Sequence, residues 1–313
     1  MRVALRGMNE IDIKPLSLPL PGGSKDAHVT VRPLLTAELA VPPGFFEAPK
    51  SRLKKLGVWL KLIRGANPSW GNCPIPAYLV THPTAGDFLI DTGLHRSCAQ
   101  PGGGNLGKVG RFYRITMNPG QSAAERLEAR GINPDALKLV LMTHLHNDHA
   151  SGCQDFPNAT FVCDQLEWDA AHEKRSWMNG YEPTQFDIAI DWRAVDYFSE
   201  GVEHFAGFSK TIDLFGDGSV RLISTPGHSN GHQSVLLRLE HGELLVVADA
   251  AYTEPTLDRL AEPLIYADKY QFERSLREIR AYRTQTPNAL LIPGHDSEAW
   301  HRLDSVYGNG TDD

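Results

Sequence analysis

Residues 141–152 read LMTHLHNDHASG, with three histidines and an aspartate inside six positions, directly behind an apolar run. That juxtaposition limits what the chain can fold into. Imidazoles and a carboxylate held so close repel or compete unless a cation organises them. The preceding LKLVLMTH reads as a short apolar strand that delivers them to one point. If the backbone after Thr143 is extended, residues two apart project to one side. His144 and His146 then converge on one cation, and Asp148 and His149 can reach a second. Imidazole and carboxylate together suit Zn²⁺ and neighbouring divalent metals, with Fe, Co or Mn as alternatives. A closed structural zinc site would draw on thiolates. Cys73, Cys98, Cys153 and Cys163 form no CxxC pair and follow no ligand spacing, so a catalytic centre with a position open to water is expected.

Two metals need more ligands than this segment holds. His228 in TPGHSNGH, Asp249 at the end of ELLVVAD and His295 in IPGHD each follow a strand-like run. His28, His82, His172, His204, His241 and His301 stand alone and read as surface or satisfied core residues. Between these points the chain alternates strands and helices. PAYLVTH and DFLIDTG flank a turn at 83–86, SAAERLEARG reads as a helix closed by Gly131, and ATFVCD is a strand before a helix at QLEWDAAHEKR. A hairpin turns at His241 and Gly242, and YQFERSLREIRAYRTQ is a helix with Phe272, Leu276 and Ile279 inward. Sheets with helices on their outer faces account for that order.

The net charge of −7 gives no footprint for a polyanion, so no nucleic-acid partner is expected. No apolar run approaches the roughly 20 residues that span a bilayer, so no stable membrane insertion is expected. The first residues lack the apolar core of a secretory signal, which makes the cytoplasm the expected location. In FFEAPKSRLKKLGVWLKLIRG, Leu53, Leu56, Leu60 and Ile63 fall on one helical face. An ordinary amphipathic helix packed on the body of the protein is the first expectation; a lid, a homodimer contact or a membrane-surface helix are the alternatives.

Taken together, THLHNDHASG, TPGHSNGH, VVADAAYT, IPGHD and the earlier LIDTG resemble the metallo-β-lactamase superfamily, over about residues 78–296. The resemblance implies an αββα sandwich with its site at one edge, in one domain over 1–313. Residues 1–70 would form an N-terminal extension, with a lid or dimerisation helix at about 50–64. It implies two divalent metals, with His144, His146 and His228 on the first, Asp148, His149 and His295 on the second, and Asp249 bridging them. Asp91 of DTG matches a position that supports the ligands without being one.

Two divalent metals can share a hydroxide that is nucleophilic at neutral pH and can polarise a carbonyl. Lactones, thioesters, β-lactams and phosphodiesters all fall within that chemistry. The bridging position is an aspartate and no cysteine takes a ligand slot, which departs from the cysteine-ligated zinc β-lactamases. Tyr252, three residues after Asp249, matches the tyrosine that resembles a substrate-carbonyl donor in the N-acyl-homoserine lactone lactonases. The expected reaction is therefore opening of such a lactone by the bridging hydroxide, with Asp148 as general acid to the leaving alkoxide. A glyoxalase II-like thioesterase and a non-catalytic metal-binding protein on the same fold are the alternatives. The substrate's acyl tail needs an apolar groove, for which Phe45, Phe46, Trp59, Trp70 and residues 177–181 are candidates.

Overall fold

Most strands are apolar on both faces, which only a sheet covered on both sides can bury. The computed structural model describes residues 13–309 other than 66, 68, 69, 108, 109, 111–113 and 189. It holds an eight-stranded and a six-stranded sheet. The first comprises β1 (Lys14–Pro15), β2 (Thr30–Val41), β3 (Gly71–His82), β4 (Gly86–Ile90), β5 (Arg114–Thr116), β6 (Leu139–Leu141), β7 (Thr160–Asp164) and β8 (Asp191–Val195). Their order is β1-β8-β7-β6-β4-β3-β2-β5. The second comprises β9 (Glu203–Phe205), β10 (Phe208–Asp213), β11 (Val220–Ser224), β12 (Gln233–Leu239), β13 (Gly242–Ala248) and β14 (Leu290–Pro293), in the order β14-β13-β12-β11-β10-β9. The chain thus completes one sheet before it begins the other.

Alternation along each strand divides the apolar residues among three layers. Phe88 and Ile90 of β4 face inward, where they join Leu222, Leu237, Leu244 and Val246 of the second sheet in one core. Leu89 faces the other way, towards helix α2 (Ala123–Glu128) and helix α4 (Gln165–Ala171), which contribute Ala124, Leu127 and Trp168. Helices α1 (Arg52–Arg64) and α3 (Asn147–Ala150) belong to the same half of the chain. On the outside of the second sheet, Leu245 and Val247 meet α5 (Glu254–Arg259) and α6 (Lys269–Gln285) through Leu257, Phe272, Leu276 and Ile279. Helix α7 (Ser297–Trp300) closes the sequence of elements. The result is the αββα sandwich expected from the sequence.

Two regions differ from expectation. Residues 30–41, placed in an N-terminal extension, form β2, which pairs antiparallel with β3 from Thr30↔Thr81 to Val41↔Gly71. Val31, Leu34, Ala37 and Leu39 are buried there, so this stretch is integral to the first sheet. Helix α1 forms where expected but with the opposite face inward. It packs through Val58 and Leu62, while Leu53, Leu56, Trp59, Leu60 and Ile63 are exposed. Among the described residues, no helix is long and apolar enough to cross a membrane.

Candidate metal centre

The site is built by strands that end together. β4, β6 and β7 are parallel neighbours, as are β13 and β14. Asp91 follows β4, His144 follows β6, Asp249 follows β13 and His295 lies just past β14; His228 lies in the turn after β11. Functional side chains on loops at strand ends, held by a packed scaffold, are the usual arrangement. The backbone from Met142 to His146 is non-helical, and α3 begins at Asn147. His144 and His146 therefore reach to one side, and the helical turn brings Asp148 and His149 round to the other. Two glycines permit close approach at the rim. A Cβ on Gly227 would stand 2.1 Å from the Phe272 nitrogen, and one on Gly294 would stand 2.2 Å from Asp249 Oδ1.

All seven residues expected as ligands come together. His228 Nε2 lies 3.1 Å from His144 Nε2 and 2.8 Å from His146 Nδ1. His295 Nε2 lies 3.4 Å from Asp148 Oδ2, and His149 Nε2 lies 3.9 Å from the same oxygen. Asp249 stands between the groups: Oδ2 is 3.4 Å from His228 Nε2 and 3.3 Å from His295 Nε2, and Oδ1 is 3.5 Å from His149 Nε2. Ligand-capable atoms cluster as His144–His146–His228, His144–His149–Asp249 and Asp148–His149–His295.

The second ring nitrogens of His144, His149, His228 and His295 are held from behind. His149 Nδ1 donates to Asp91 Oδ2 at 2.8 Å, and Asp91 also accepts from the Thr143 amide and hydroxyl at 2.7 and 2.8 Å. The Thr143 hydroxyl is thereby left to accept from His144 Nδ1 at 3.0 Å. His295 Nδ1 donates to the Pro74 carbonyl at 2.8 Å, and His228 Nδ1 lies 2.8 Å from the Tyr252 hydroxyl. Each partner orients its ring and leaves the other nitrogen's lone pair facing the centre.

The electrostatics divide the histidines. Burial, reinforced by neighbouring imidazoles, holds His144 well below the usual histidine range. Burial does the same to His228 and lowers His146. Burial opposes charge on His149 and His295 too, but the carboxylates outweigh it, chiefly Asp91 for His149 and Asp249 for His295, and both are raised well above the usual value. Asp249 is buried, yet His295, His149 and His228 keep it well below the carboxylate range.

These donors fit a divalent metal pair. His149 Nε2 and Asp249 Oδ1 are buried and find no hydrogen-bond partner among the described residues, which is costly unless something else binds them. Three imidazole nitrogens facing one another cannot all be satisfied by shared protons. Nitrogen and carboxylate donors match zinc and its neighbours.

Phe46, one of the expected groove residues, stacks on Tyr252 at 4.9 Å and on His295 at 5.8 Å between ring centroids. Phe45 lies 6.3 Å from Tyr252, and Tyr181 lies 4.8 Å from His146. Trp70 is buried in the cluster beneath α1, whereas Trp59 lies on its exposed side. Asn147 donates its side-chain amide to the Gly180 carbonyl at 2.8 Å. Glu167 had no sequence signal, since a glutamate in the first turn of a helix reads as a solvated dipole partner. It is fully buried. It accepts from the Leu145 amide at 2.9 Å, the Ser229 hydroxyl at 2.6 Å and the Gly231 amide at 3.1 Å, tying together both histidine-bearing loops.

Two sheets face to face, helices outside and a histidine–aspartate centre at one edge define a four-layer metal-binding hydrolase fold. The chain belongs to the metallo-beta-lactamase superfamily, whose family model matches residues 70–295. Among its relatives, the N-acyl homoserine lactonase AttM of Agrobacterium fabrum is 33% identical over 231 residues, covering 72% of this chain and 83% of that protein. AttM of Azorhizobium caulinodans is also 33% identical, over 239 residues, covering 75% and 86%. Among solved structures, an N-acyl homoserine lactone hydrolase with N-hexanoyl-L-homoserine at its catalytic metal centre superposes with a TM-score of 0.69 at 20% identity, covering 88% of this chain and 96% of that one. The dizinc quorum-quenching lactonase AidC gives 0.58 at 15% identity, covering 89% and 90%.

Proposed function

We propose that the protein is a dinuclear metal-dependent lactonase that opens the ring of N-acyl-homoserine lactones. The observation that carries the reading is the position of Asp249, within 3.5 Å of ligand nitrogens of both histidine groups. Similarity to curated N-acyl homoserine lactonases supports the choice of substrate. His144, His146 and His228 would hold one metal, Asp148, His149 and His295 the other, and Asp249 both. When bound, two divalent cations polarise a carbonyl and acidify water to near neutrality.

The chain's own groups supply the rest. With His228 ligating through Nε2, its Nδ1–H donates to the Tyr252 oxygen, and the phenolic O–H would donate to the lactone carbonyl oxygen on substrate binding. That donation strengthens as negative charge develops there. Asp148 is the most accessible of the carboxylates, its side chain 18% exposed against 4% for Asp249. Asp148 takes the proton of the attacking water and returns it to the departing ring oxygen, giving the ring-opened acyl homoserine. Phe46, stacked on Tyr252 and His295, would place an apolar ring beside the bound substrate.

The test is a substrate panel against metal-reconstituted protein: homoserine lactones of varied tail, S-lactoylglutathione and a chromogenic cephalosporin. Lactone turnover is expected to dominate. Turnover confined to the thioester would overturn the reading in favour of a thioesterase. Tyr252→Phe is expected to lower lactone turnover roughly a hundredfold at unchanged metal content, and an unchanged rate would remove Tyr252 from the reaction.

A further inference from the structure

Helix α1 turns an apolar stripe outward. At about 100° per residue, Leu53, Leu56, Trp59, Leu60 and Ile63 fall within an arc of about 120°. Val58 and Leu62 occupy the opposite side and pack against Phe45, Trp70 and Leu264. The outward stripe is well solvated, with Leu53 81% and Ile63 64% exposed. Apolar residues are not scarce on protein surfaces, but five together on one short helix form a contiguous patch.

Charge selects the occupant. Residues 50–64 contain six cations, Lys50, Arg52, Lys54, Lys55, Lys61 and Arg64, and no acid, in a chain whose net charge is −7. Lys55 is engaged by Glu262 at 2.7 Å, which helps fasten the helix to the body. Arg52, Lys54, Lys61 and Arg64 are exposed; at about 100° per residue Arg52 falls within the arc of the stripe and Arg64 about 20° beyond its edge, while Lys61 and Lys54 lie about 80° and 100° beyond it. A second copy docked through this face would bring two cationic helices together. An apolar face edged by arginine, on a helix without an acidic residue and with a tryptophan in the face, is the composition of a helix lying in the plane of a membrane surface.

We infer that α1 docks the protein peripherally on an anionic phospholipid surface, with its apolar stripe at the headgroup boundary and Arg52 and Arg64 on the phosphates. The cluster that anchors α1 includes Phe45 and is packed by Phe46, and Phe46 stacks on Tyr252 and His295. Docking therefore sets the metal centre close behind the membrane-facing helix.

The experiment is co-sedimentation of the full-length protein with phosphatidylglycerol-containing vesicles and with vesicles of phosphatidylcholine alone, alongside light scattering for mass. Binding to the anionic vesicles is expected, weakened by salt and absent on the neutral ones. Leu56→Ser with Ile63→Ser, and separately Arg52→Glu with Arg64→Glu, are each expected to lower partitioning by at least about tenfold. Both pairs are exposed, so unchanged melting curves show that the fold is intact. No binding to anionic vesicles, or binding indifferent to both variants, overturns the inference. So does a dimer that the Leu56→Ser, Ile63→Ser variant dissociates, since a second copy would then cover the stripe.

Discussion

Single side chains at the centre are specified by what holds them from behind. Asp91 illustrates this: it sits at φ 56°, a left-handed conformation that aspartate tolerates better than most residues, and collects three hydrogen bonds that set both Thr143 and His149. Removing it in Asp91→Ala is expected to weaken metal binding roughly ten- to hundredfold, read by competition with a chromophoric chelator; unchanged affinity would show that His149 orients itself. The metal-binding candidates were legible in the sequence because each ends a strand-like run and four share one segment. Glu167 was not, because its role depends on two loops that meet only in the folded chain. Glu167→Ala would strand the Leu145 and Gly231 amides and the Ser229 hydroxyl. A loss of roughly 2–4 kcal/mol is expected, measured by urea unfolding and accompanied by weaker metal binding.

At the scale of elements, helix α4 shows how a cap can depend on pH. Its N-cap Asp164 accepts from the Leu166 amide at 2.7 Å. Burial, with Glu167 and Asp196 nearby, nonetheless pushes its carboxyl up to about 8. The folded state thus holds a proton that the unfolded chain releases near pH 4. The associated stability is full below about pH 4 and is lost as pH rises through about 8. Asp164→Asn keeps an accepting oxygen without the titration. Wild type is expected to lose stability relative to this variant between about pH 4 and pH 8, measured by denaturant midpoints at matched metal content; parallel profiles would refute the assignment. The placement of α6 followed from periodicity, with Phe272, Leu276 and Ile279 buried as expected. The orientation of α1 did not, for a physical reason. That helix carries apolar residues on two faces, and periodicity reveals a stripe without saying which one the body of the protein needs.

Across the whole molecule, strand ends explain why so much of the architecture could be read ahead of the structure. Ligand-bearing loops follow apolar strands, so the motif order also orders the two sheets. The strand-type residues of 28–41 could be read, but not their place in the first sheet, since the pairing to β3 along its length shows only once the partner is known. The candidate ligands also come from both halves: His144, His146, Asp148 and His149 from the segment after β6 of the first sheet, His228, Asp249 and His295 from loops of the second. Metal bound there joins the sheets, and a ligand that binds only the folded state stabilises it by mass action. Chelation is therefore expected to lower the melting temperature of the molecule as one cooperative unit. The central claim, two metals working as one lactone-opening centre, is tested most directly by titrating metal-stripped protein with zinc while following N-acyl-homoserine lactone turnover. Activity that rises to a plateau at two equivalents is the expected result; full activity at one equivalent, or none at any loading, would contradict it.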